Sequence, residues 1–142
     1  MKQHGELDGK TVLITGATDG IGRALAQMCW QAGASLILHG RNPQKLESLL
    51  STFSEGLSGQ TASTVRAEPS TLQELRAMAG LLLAEVPQLD LLVNHARLHP
   101  SKRLPPEDGF EECIQVNYPA PLLLPSLFRP LLPRPAPVRL VT

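Results

Sequence analysis

Three closely spaced glycines are the feature of this sequence with the clearest chemistry. They lie in the segment Thr15-Gly16-Ala17-Thr18-Asp19-Gly20-Ile21-Gly22, between a short apolar run and a stretch of helical periodicity. Gly16 permits a tight turn out of a strand, Gly20 lets the backbone approach a diphosphate, and Gly22 lets a helix pack close to a sheet. The helix amino terminus then directs unpaired N–H groups toward the phosphates. Such spacing also occurs in simple turns, and the strand before and helix after it favour phosphate binding here.

Side chains near this segment indicate which dinucleotide it would take. An acidic residue about 20 positions beyond such glycines usually binds the ribose hydroxyls of NAD, but this place holds His39-Gly40-Arg41. The planar guanidinium of Arg41 can pair with a 2′-phosphate, which favours NADP over NAD as the cofactor. Alternatively, Arg41 is only a solvated loop cation. Asp19 is expected to point away from the phosphates as a helix-start carboxylate, although it could also repel a cofactor mildly.

The rest of the sequence predicts a scaffold that brings strand ends together. Short apolar runs alternate with helical patterns, which is typical of βαβ units in a parallel sheet. The predicted strands are 11–15, 35–39, 61–67, 89–94 and 138–142. We therefore predict one α/β domain over residues 1–142, a doubly wound parallel sheet of Rossmann type with strand order 3-2-1-4-5. Ligands bind such sheets beyond the carboxyl ends of strands one and four, which puts the glycine loop and Asn94 on one edge.

Helix signals separate the first four strands. In the first helical pattern, over 21–31, the apolar residues Ile21, Leu25, Met28 and Cys29 recur at helical spacing. Asn42-Pro43 provides a cap for the second. Ser70 or Thr71 can cap the third, with Gln73 and Glu74 placed for a capping-box reply. Its predicted buried face comprises Leu72, Leu75, Met78, Ala79, Leu82 and Leu83. Seven prolines between Pro119 and Pro137 argue against a long regular helix there, because each interior proline removes an N–H and clashes with the preceding turn.

Composition limits the classes of partner. Lys plus Arg and Asp plus Glu both number 13, so the formal net charge is 0, and the chain lacks the field that attracts nucleic acid or acidic membranes. The Leu-rich stretch 122–132 is interrupted by proline and shorter than the roughly 20 apolar residues of a membrane span. Two distant cysteines and the absence of an apolar signal region favour a cytoplasmic protein. His95 and His99 follow a strand, so a metal site is not expected. We expect a small-molecule partner.

The glycine segment is similar to the cofactor motif Thr-Gly-x-x-x-Gly-Ile-Gly of the short-chain dehydrogenase/reductase family. Ala67-Glu68-Pro69-Ser70 resembles the family's Asp-Leu-Ser segment after the third strand. This similarity implies that Glu68 contacts the adenine edge. Asn94-His95-Ala96-Arg97 resembles the Asn-Asn-Ala-Gly segment that ends the fourth strand, which implies that Asn94 and Ala96 lie at the cofactor.

Further residues extend the resemblance over nearly the whole chain. Val116-Asn117 matches the family's helix asparagine, which helps to hold a water-linked proton relay, and Asn117 is thus a candidate catalytic relay residue. A second interpretation makes it a helix-start residue that satisfies backbone groups. Residues 107–111 and 137–141 resemble retinol-dehydrogenase-like members in particular. The resemblance implies an NADP-dependent oxidoreductase that moves a hydride between nicotinamide and a carbonyl or alcohol.

Several differences from the family pattern bear on activity. Arg97 stands where the family has glycine beside the nicotinamide ribose, and Glu68-Pro69 alters the adenine contact. The family's catalytic Ser and Tyr-x-x-x-Lys follow the fifth strand, whereas the sole tyrosine here, Tyr118, has Leu122 four positions later. We therefore expect a C-terminally incomplete family member that is inactive as an isolated chain. The alternative is a non-catalytic nucleotide-binding or protein-interaction module. An unprotected fifth strand predicts a homo-oligomer or a marginally stable chain.

Overall fold

A five-stranded parallel sheet forms the centre of the fold. The computed structural model describes residues 5–53, 59–68, 71–96, 119–131 and 139–141, with the backbone alone for 119–122 and 139–141. The strands are β1 (Thr11–Thr15), β2 (Ser35–Gly40), β3 (Ala62–Arg66), β4 (Leu91–Asn94) and β5 (Arg139–Val141). Every neighbouring pair is parallel, in the order β3-β2-β1-β4-β5. The predicted doubly wound fold and its strand order are confirmed.

Two layers of helices cover the sheet. Helices α1 (Gly20–Gln31) and α2 (Pro43–Ser51) pack on one face, while α3 (Leu72–Glu85) and α4 (Pro119–Leu127) pack on the other. The central strand explains this arrangement, because Val12 and Ile14 belong to the core beneath α1 and α2 and Leu13 belongs to the opposite core. All three side chains are fully buried. An uninterrupted apolar strand is the pattern expected when both faces of a parallel sheet are covered.

Helix α1 contacts the sheet through small residues. Its buried positions are Gly22, Ala26 and Cys29, whereas the larger Ile21 and Met28 are 66% and 64% exposed. Of the larger apolar residues in the predicted helical pattern, Leu25 is half-buried against this core, whereas Ile21 and Met28 face solvent. The fully enclosed positions hold small residues because the helix lies close over the strands there, so steric fit matters more than hydrophobic size at these positions.

The signals for α2 and α3 have different outcomes. The Oδ1 atom of Asn42 accepts a hydrogen bond from the Lys45 amide at 3.0 Å, and Pro43 occupies the first turn, as predicted. At α3 the N-cap is Thr71, whose side chain makes no capping bond. Glu74 instead accepts a hydrogen bond from the amide of Glu68, so the expected capping box does not form. The third helix is thereby tied to the segment that follows β3.

Some predicted boundaries and faces were wrong. β4 begins at Leu91 rather than residue 89, because the Leu89 amide donates to the Leu131 carbonyl at 2.8 Å instead of to a strand. Leu83, predicted to be buried in α3, is 38% exposed, while the buried positions are Leu75, Met78, Ala79 and Leu82. β3 is likewise one residue shorter at each end than predicted.

The proline-rich segment does contain a short regular helix. Helix α4 has nine residues with Pro125 inside it, and a 3-10 turn follows at Arg129–Leu131. Leu124, Phe128 and Leu131 are buried in the core under α3. Burial of these three side chains offsets the missing proline amide. Within the described residues, none of the helices combines the length and apolar character needed to cross a bilayer.

Substitution of Gly80 by alanine should stabilise the fold. Gly80 is exposed within α3, and a methyl group there would meet no atom within 4 Å. Alanine has the higher helix propensity, so we expect the free energy of unfolding to rise by about 0.5–1 kcal/mol. Urea denaturation followed by circular dichroism measures this change.

Gly33→Ala is the matched control for that experiment. Gly33 has φ +95°, and an added methyl group would lie 3.1 Å from the Cα atom of Asp8. Left-handed backbone disfavours a Cβ atom by about 1–2 kcal/mol, so this variant should lose stability. Equal effects of the two substitutions would contradict the backbone description of both sites.

Candidate nucleotide-binding site

The three glycines after β1 have different steric surroundings. Gly16 has φ +67°, and a methyl group there would lie 2.7 Å from the Cα atom of Ala96. A methyl group at Gly22 would overlap the carbonyl oxygen of Gly16 and lie 3.0 Å from the His95 ring. Gly20, with φ +56°, opens onto space with no atom within 4 Å. Two of the glycines thus permit close packing, and the third leaves open the surface at the start of α1.

The first turn of α1 faces this opening without a capping side chain. Asp19 is the N-cap residue, but its carboxylate makes no hydrogen bond to the helix amides. It binds the Nζ atom of Lys45 at 2.8 and 3.0 Å. This bond to Lys45 is the main reason that the pKa of the Asp19 carboxyl is lowered. The carboxylate is directed toward α2, so the leading N–H groups of α1 remain available for an anion.

The side chain of Thr15 joins β1 to the end of β4. Its hydroxyl accepts hydrogen bonds from the amides of His95 and Ala96 at 2.9 and 3.2 Å. It also donates to the Val93 carbonyl at 3.3 Å. Asn94, which is buried, stands opposite Thr15 in the strand register. One buried hydroxyl therefore holds the Asn94-His95-Ala96 corner against the glycine loop, a role that the sequence analysis did not assign.

His39 joins the glycine loop to β2 and β3. The imidazole is 1% exposed, and its Nδ1 atom accepts a hydrogen bond from the Gly16 amide at 3.2 Å. Since a peptide carbonyl can only accept, Nε2 carries the proton and donates to the Ala67 oxygen at 3.0 Å. The His39 carbonyl accepts from the Ala17 amide at 2.9 Å. Burial is the main cause of a lowered pKa at His39, which favours this neutral form.

Two of the predicted cofactor residues contact each other. Arg41, placed for a 2′-phosphate, lies with Nη1 3.7 Å from the Oε1 atom of Glu68, placed for the adenine edge. The two side chains are 46% and 30% exposed, so the pair is open to solvent. The predicted strand order already places the ends of β2 and β3 side by side, but the contact between these two side chains depends on their conformations, which the sequence pattern does not indicate. An anion that binds Arg41 would have to compete with this carboxylate.

The remaining predicted positions lie at the same edge of the sheet. A methyl group at Gly40 would lie 2.8 Å from the Cγ2 atom of Thr18, so the glycine loop folds over the end of β2. Ile21 is largely exposed in the first turn of α1. Lys45, which the sequence analysis did not select, approaches the loop through its pair with Asp19. The described part of the chain contains no group of three His, Cys, Asp or Glu residues suited to a metal ion.

The predicted cofactor residues are thus brought to the carboxyl ends of β1, β2, β3 and β4. They are Gly16, Thr18, Asp19, Gly20, Ile21, Gly22, Arg41, Glu68, Asn94 and Ala96. Asn117, Arg97 and Tyr118 lie outside the described residues. The open surface at Gly20, the uncapped helix amides and the exposed cation of Arg41 fit a phosphorylated dinucleotide. The described residues up to Ala96 therefore supply a candidate cofactor site, and the candidate relay residue stays a prediction.

Alanine substitutions at Gly20 and Gly22 should separate binding from stability. Gly22→Ala forces α1 away from Gly16, so we expect a loss of about 1–3 kcal/mol in the free energy of unfolding together with weaker nucleotide binding. Gly20→Ala costs only about 1–2 kcal/mol of backbone strain, but its methyl group enters the open space. We expect its nucleotide affinity to fall more than its stability implies, as measured by calorimetric titration and thermal unfolding. Unchanged affinity in Gly20→Ala would refute the proposed phosphate position.

Known proteins are similar to this chain over most of its length. The family model for short chain dehydrogenases matches residues 10–141. Retinol dehydrogenase 14 of Homo sapiens is 35% identical over 150 aligned positions, which cover 96% of this chain and 45% of that protein. The chain therefore spans less than half the length of this curated relative.

Solved structures share the fold as well. The Pseudomonas aeruginosa RhlG/NADP active-site complex has a TM-score of 0.80 and 26% identity, covering 99% of this chain and 56% of that one. A metagenomic short-chain oxidoreductase in complex with NADP has a TM-score of 0.75 and 30% identity, covering 88% and 56%. With the glycine loop and strand order described above, these matches show that the chain belongs to the short-chain dehydrogenase/reductase family and is similar to the amino-terminal part of its retinol-dehydrogenase-like members.

Proposed function

We propose that this chain binds NADP and forms the cofactor-binding part of an oxidoreductase for a small carbonyl or alcohol. The observation that carries the proposal is the open, uncapped start of α1 beside Gly20, with the cation of Arg41 at the end of the neighbouring strand. Relatives named as retinol dehydrogenases and neighbours solved with NADP support the same assignment. When bound, NADP supplies or takes up the hydride.

The diphosphate is the first group that the chain would hold. The leading amides of α1 carry partial positive charge, and Gly20 lets the backbone reach the phosphate oxygens without a Cβ atom between them. Asp19 lies nearby, but its carboxylate is directed to Lys45. Its repulsion of the diphosphate is thereby reduced. Gly16 and Gly22 contribute indirectly, because their close packing fixes the direction of the helix.

The choice of NADP over NAD depends on Arg41. A carboxylate at position 40 is sterically disfavoured, because a side chain there would meet Thr18 and Leu46 within 3.1 Å. Arg41 is the next residue and is exposed enough to meet a 2′-phosphate. Glu68 opposes this choice, since its carboxylate already attracts the guanidinium and would repel a phosphate. We assign the net preference to NADP because a 2′-phosphate carries more negative charge than a carboxylate does, so its Coulomb attraction to the guanidinium is larger.

In this proposal the corner after β4 binds the nicotinamide end of the cofactor. Thr15 holds the backbone of His95 and Ala96, which puts Asn94 and Ala96 in a fixed position next to the glycine loop. A fixed corner would orient the nicotinamide ribose and restrict its rotation. In this proposal Asn117 holds a relay water for the proton that accompanies the hydride, as the family resemblance implies. The carbonyl or alcohol substrate is assigned by class only.

Separate titrations of NADP and NAD into the purified chain test the proposal. We expect saturable heat with both nucleotides and tighter binding of NADP. Saturable binding without turnover is expected both for the cofactor-binding part of an oxidoreductase and for the non-catalytic nucleotide-binding alternative, whereas reduction of a carbonyl compound by this chain with NADPH would favour the enzyme. Absence of binding by either nucleotide would contradict both functions.

Charge substitutions should change the preference between the two nucleotides in opposite directions. Arg41→Ala should weaken NADP by roughly 10-fold to 100-fold, the amount expected for a charge-assisted hydrogen bond, and leave NAD nearly unchanged. Glu68→Gln removes the competing charge, so NADP should bind roughly 2-fold to 5-fold more tightly, within the range of exposed ion pairs. Calorimetric dissociation constants for each nucleotide measure both effects.

Lys10→Ala is the matched control for Arg41→Ala. Lys10 precedes β1 at the opposite edge of the sheet, where it lies 3.9 Å from Asp90. Its removal should change NADP and NAD affinity by the same small factor. Equal weakening of both nucleotides by Arg41→Ala would reject the role given to the guanidinium.

A further inference from the structure

We propose that His39 is a positioning residue whose neutral imidazole fixes the Gly16 peptide, and with it the glycine loop, for diphosphate binding. This inference rests on the proposed function but concerns a residue that has no part in it so far. Four polar residues of the described chain are buried, and they include His39 and Thr15. Thr15 holds the β4 side of the loop, whereas His39 holds the β2 side.

His39 accepts hydrogen bonds from two consecutive amides of the glycine loop. Its Nδ1 atom accepts from the Gly16 amide at 3.2 Å, and its backbone carbonyl oxygen accepts from the Ala17 amide at 2.9 Å. On the other side of the ring, Nε2 donates to the Ala67 carbonyl at 3.0 Å, just beyond β3. The imidazole therefore bridges the turn after β1 to the chain that leaves β3. Two consecutive loop peptides are thereby held in place.

The Gly16 peptide is where this hold matters for a ligand. The N–H that the imidazole binds belongs to the peptide unit between Thr15 and Gly16, whereas the Gly16 carbonyl oxygen, against which Gly22 packs, belongs to the following unit. The two units meet at the Cα atom of Gly16, so the orientation of the first influences where the second places that oxygen and how closely α1 can approach. The leading amides of α1 face the proposed diphosphate. Rotation about Gly16 after loss of the imidazole bond would displace these amides and weaken phosphate binding before the sheet unfolded. If His39 only filled the core, its loss would weaken phosphate binding no more than it lowers stability.

Only the neutral imidazole can make both ring bonds. Protonation puts a second N–H on Nδ1, which then faces the Gly16 N–H as donor against donor. Burial lowers the pKa of His39 below its ordinary value of 6.5, while the Ala67 bond and the charge of Glu68 act in the opposite direction. Glu68 is the charged group of the described residues that acts on the ring, and it lies 3.7 Å from Arg41. The unfolded chain therefore takes up this proton first, so stability decreases as the pH falls below about 6.5.

Three substitutions separate the acceptor from the donor and from the volume of the ring. Asparagine carries an amide oxygen at the position of Nδ1, glutamine carries an amide nitrogen near the position of Nε2, and leucine has neither. We expect His39→Asn to bind NADP within about 3-fold of the unsubstituted chain, because it keeps the acceptor for Gly16. His39→Gln and His39→Leu should bind about 3-fold to 10-fold more weakly, as expected for one lost hydrogen bond.

Calorimetric titration with NADP at pH 8 and thermal unfolding without nucleotide are measured on all four chains. The positioning role is supported if the Asn variant, which keeps the acceptor for Gly16, binds NADP more tightly than the Gln and Leu variants while the unfolding temperature falls in all three. Equal affinity in the Asn, Gln and Leu variants, or affinity that simply follows stability, overturns it while leaving NADP binding intact. Absence of NADP binding by the unsubstituted chain would instead contradict the proposed function, and the role of His39 with it.

The pH dependence provides a readout that a purely structural histidine would not change. NADP affinity of the unsubstituted chain should decrease more steeply than that of His39→Asn as the pH falls through the lowered pKa of the folded His39 side chain, which lies below 6.5, provided that circular dichroism shows both chains folded. The phosphates of NADP titrate identically in both titrations, so the difference isolates residue 39. Parallel pH profiles would overturn the requirement for a neutral imidazole.

Discussion

The contact between the first turn of α1 and the Gly16 peptide is the constraint on which the rest of the site depends. No side chain fits between Gly22 and the Gly16 carbonyl, so the helix begins directly against the loop that precedes it. This closeness aims the helix amides at the sheet edge, and the buried positions farther along the helix are the small residues Ala26 and Cys29. A loop so closely packed has to be held in one conformation. Thr15 and His39 provide that hold from its two sides.

Charge at this edge is arranged in opposed pairs. Lys45 faces Asp19 and Arg41 faces Glu68, so these two cations near the proposed phosphates already have an acidic partner. Both pairs are open to solvent, and exposed pairs contribute little to stability. Their main effect is therefore on the electrostatics of the site rather than on the fold. The chain as a whole has zero formal net charge, so any attraction for a phosphorylated ligand comes from these local groups and from the helix amides.

Much of the fold was predictable because it follows from local patterns. The apolar run of β1, the cap at Asn42 and the glycine spacing each depend on neighbours in the chain, and each has the structure predicted for it. Prediction was less successful where tertiary packing determines which side chains are buried and which partners they meet. Ile21 and Met28 have the right periodicity but face solvent, since α1 lies too close to the sheet for long side chains. Glu74 left the expected capping box because the Glu68 amide was within its reach.

The sequence by itself determined the alternation of strands and helices, the glycine loop at the first junction and the presence of a cation after the second strand. These are properties of residues close together in the chain, and their physical causes act over a few positions. Only the tertiary structure decided that His39 binds the Gly16 amide, that Thr15 holds the β4 corner and that Arg41 meets Glu68. Those contacts join residues 23 to 81 positions apart, and they arise because a parallel sheet brings the carboxyl ends of all its strands to one edge.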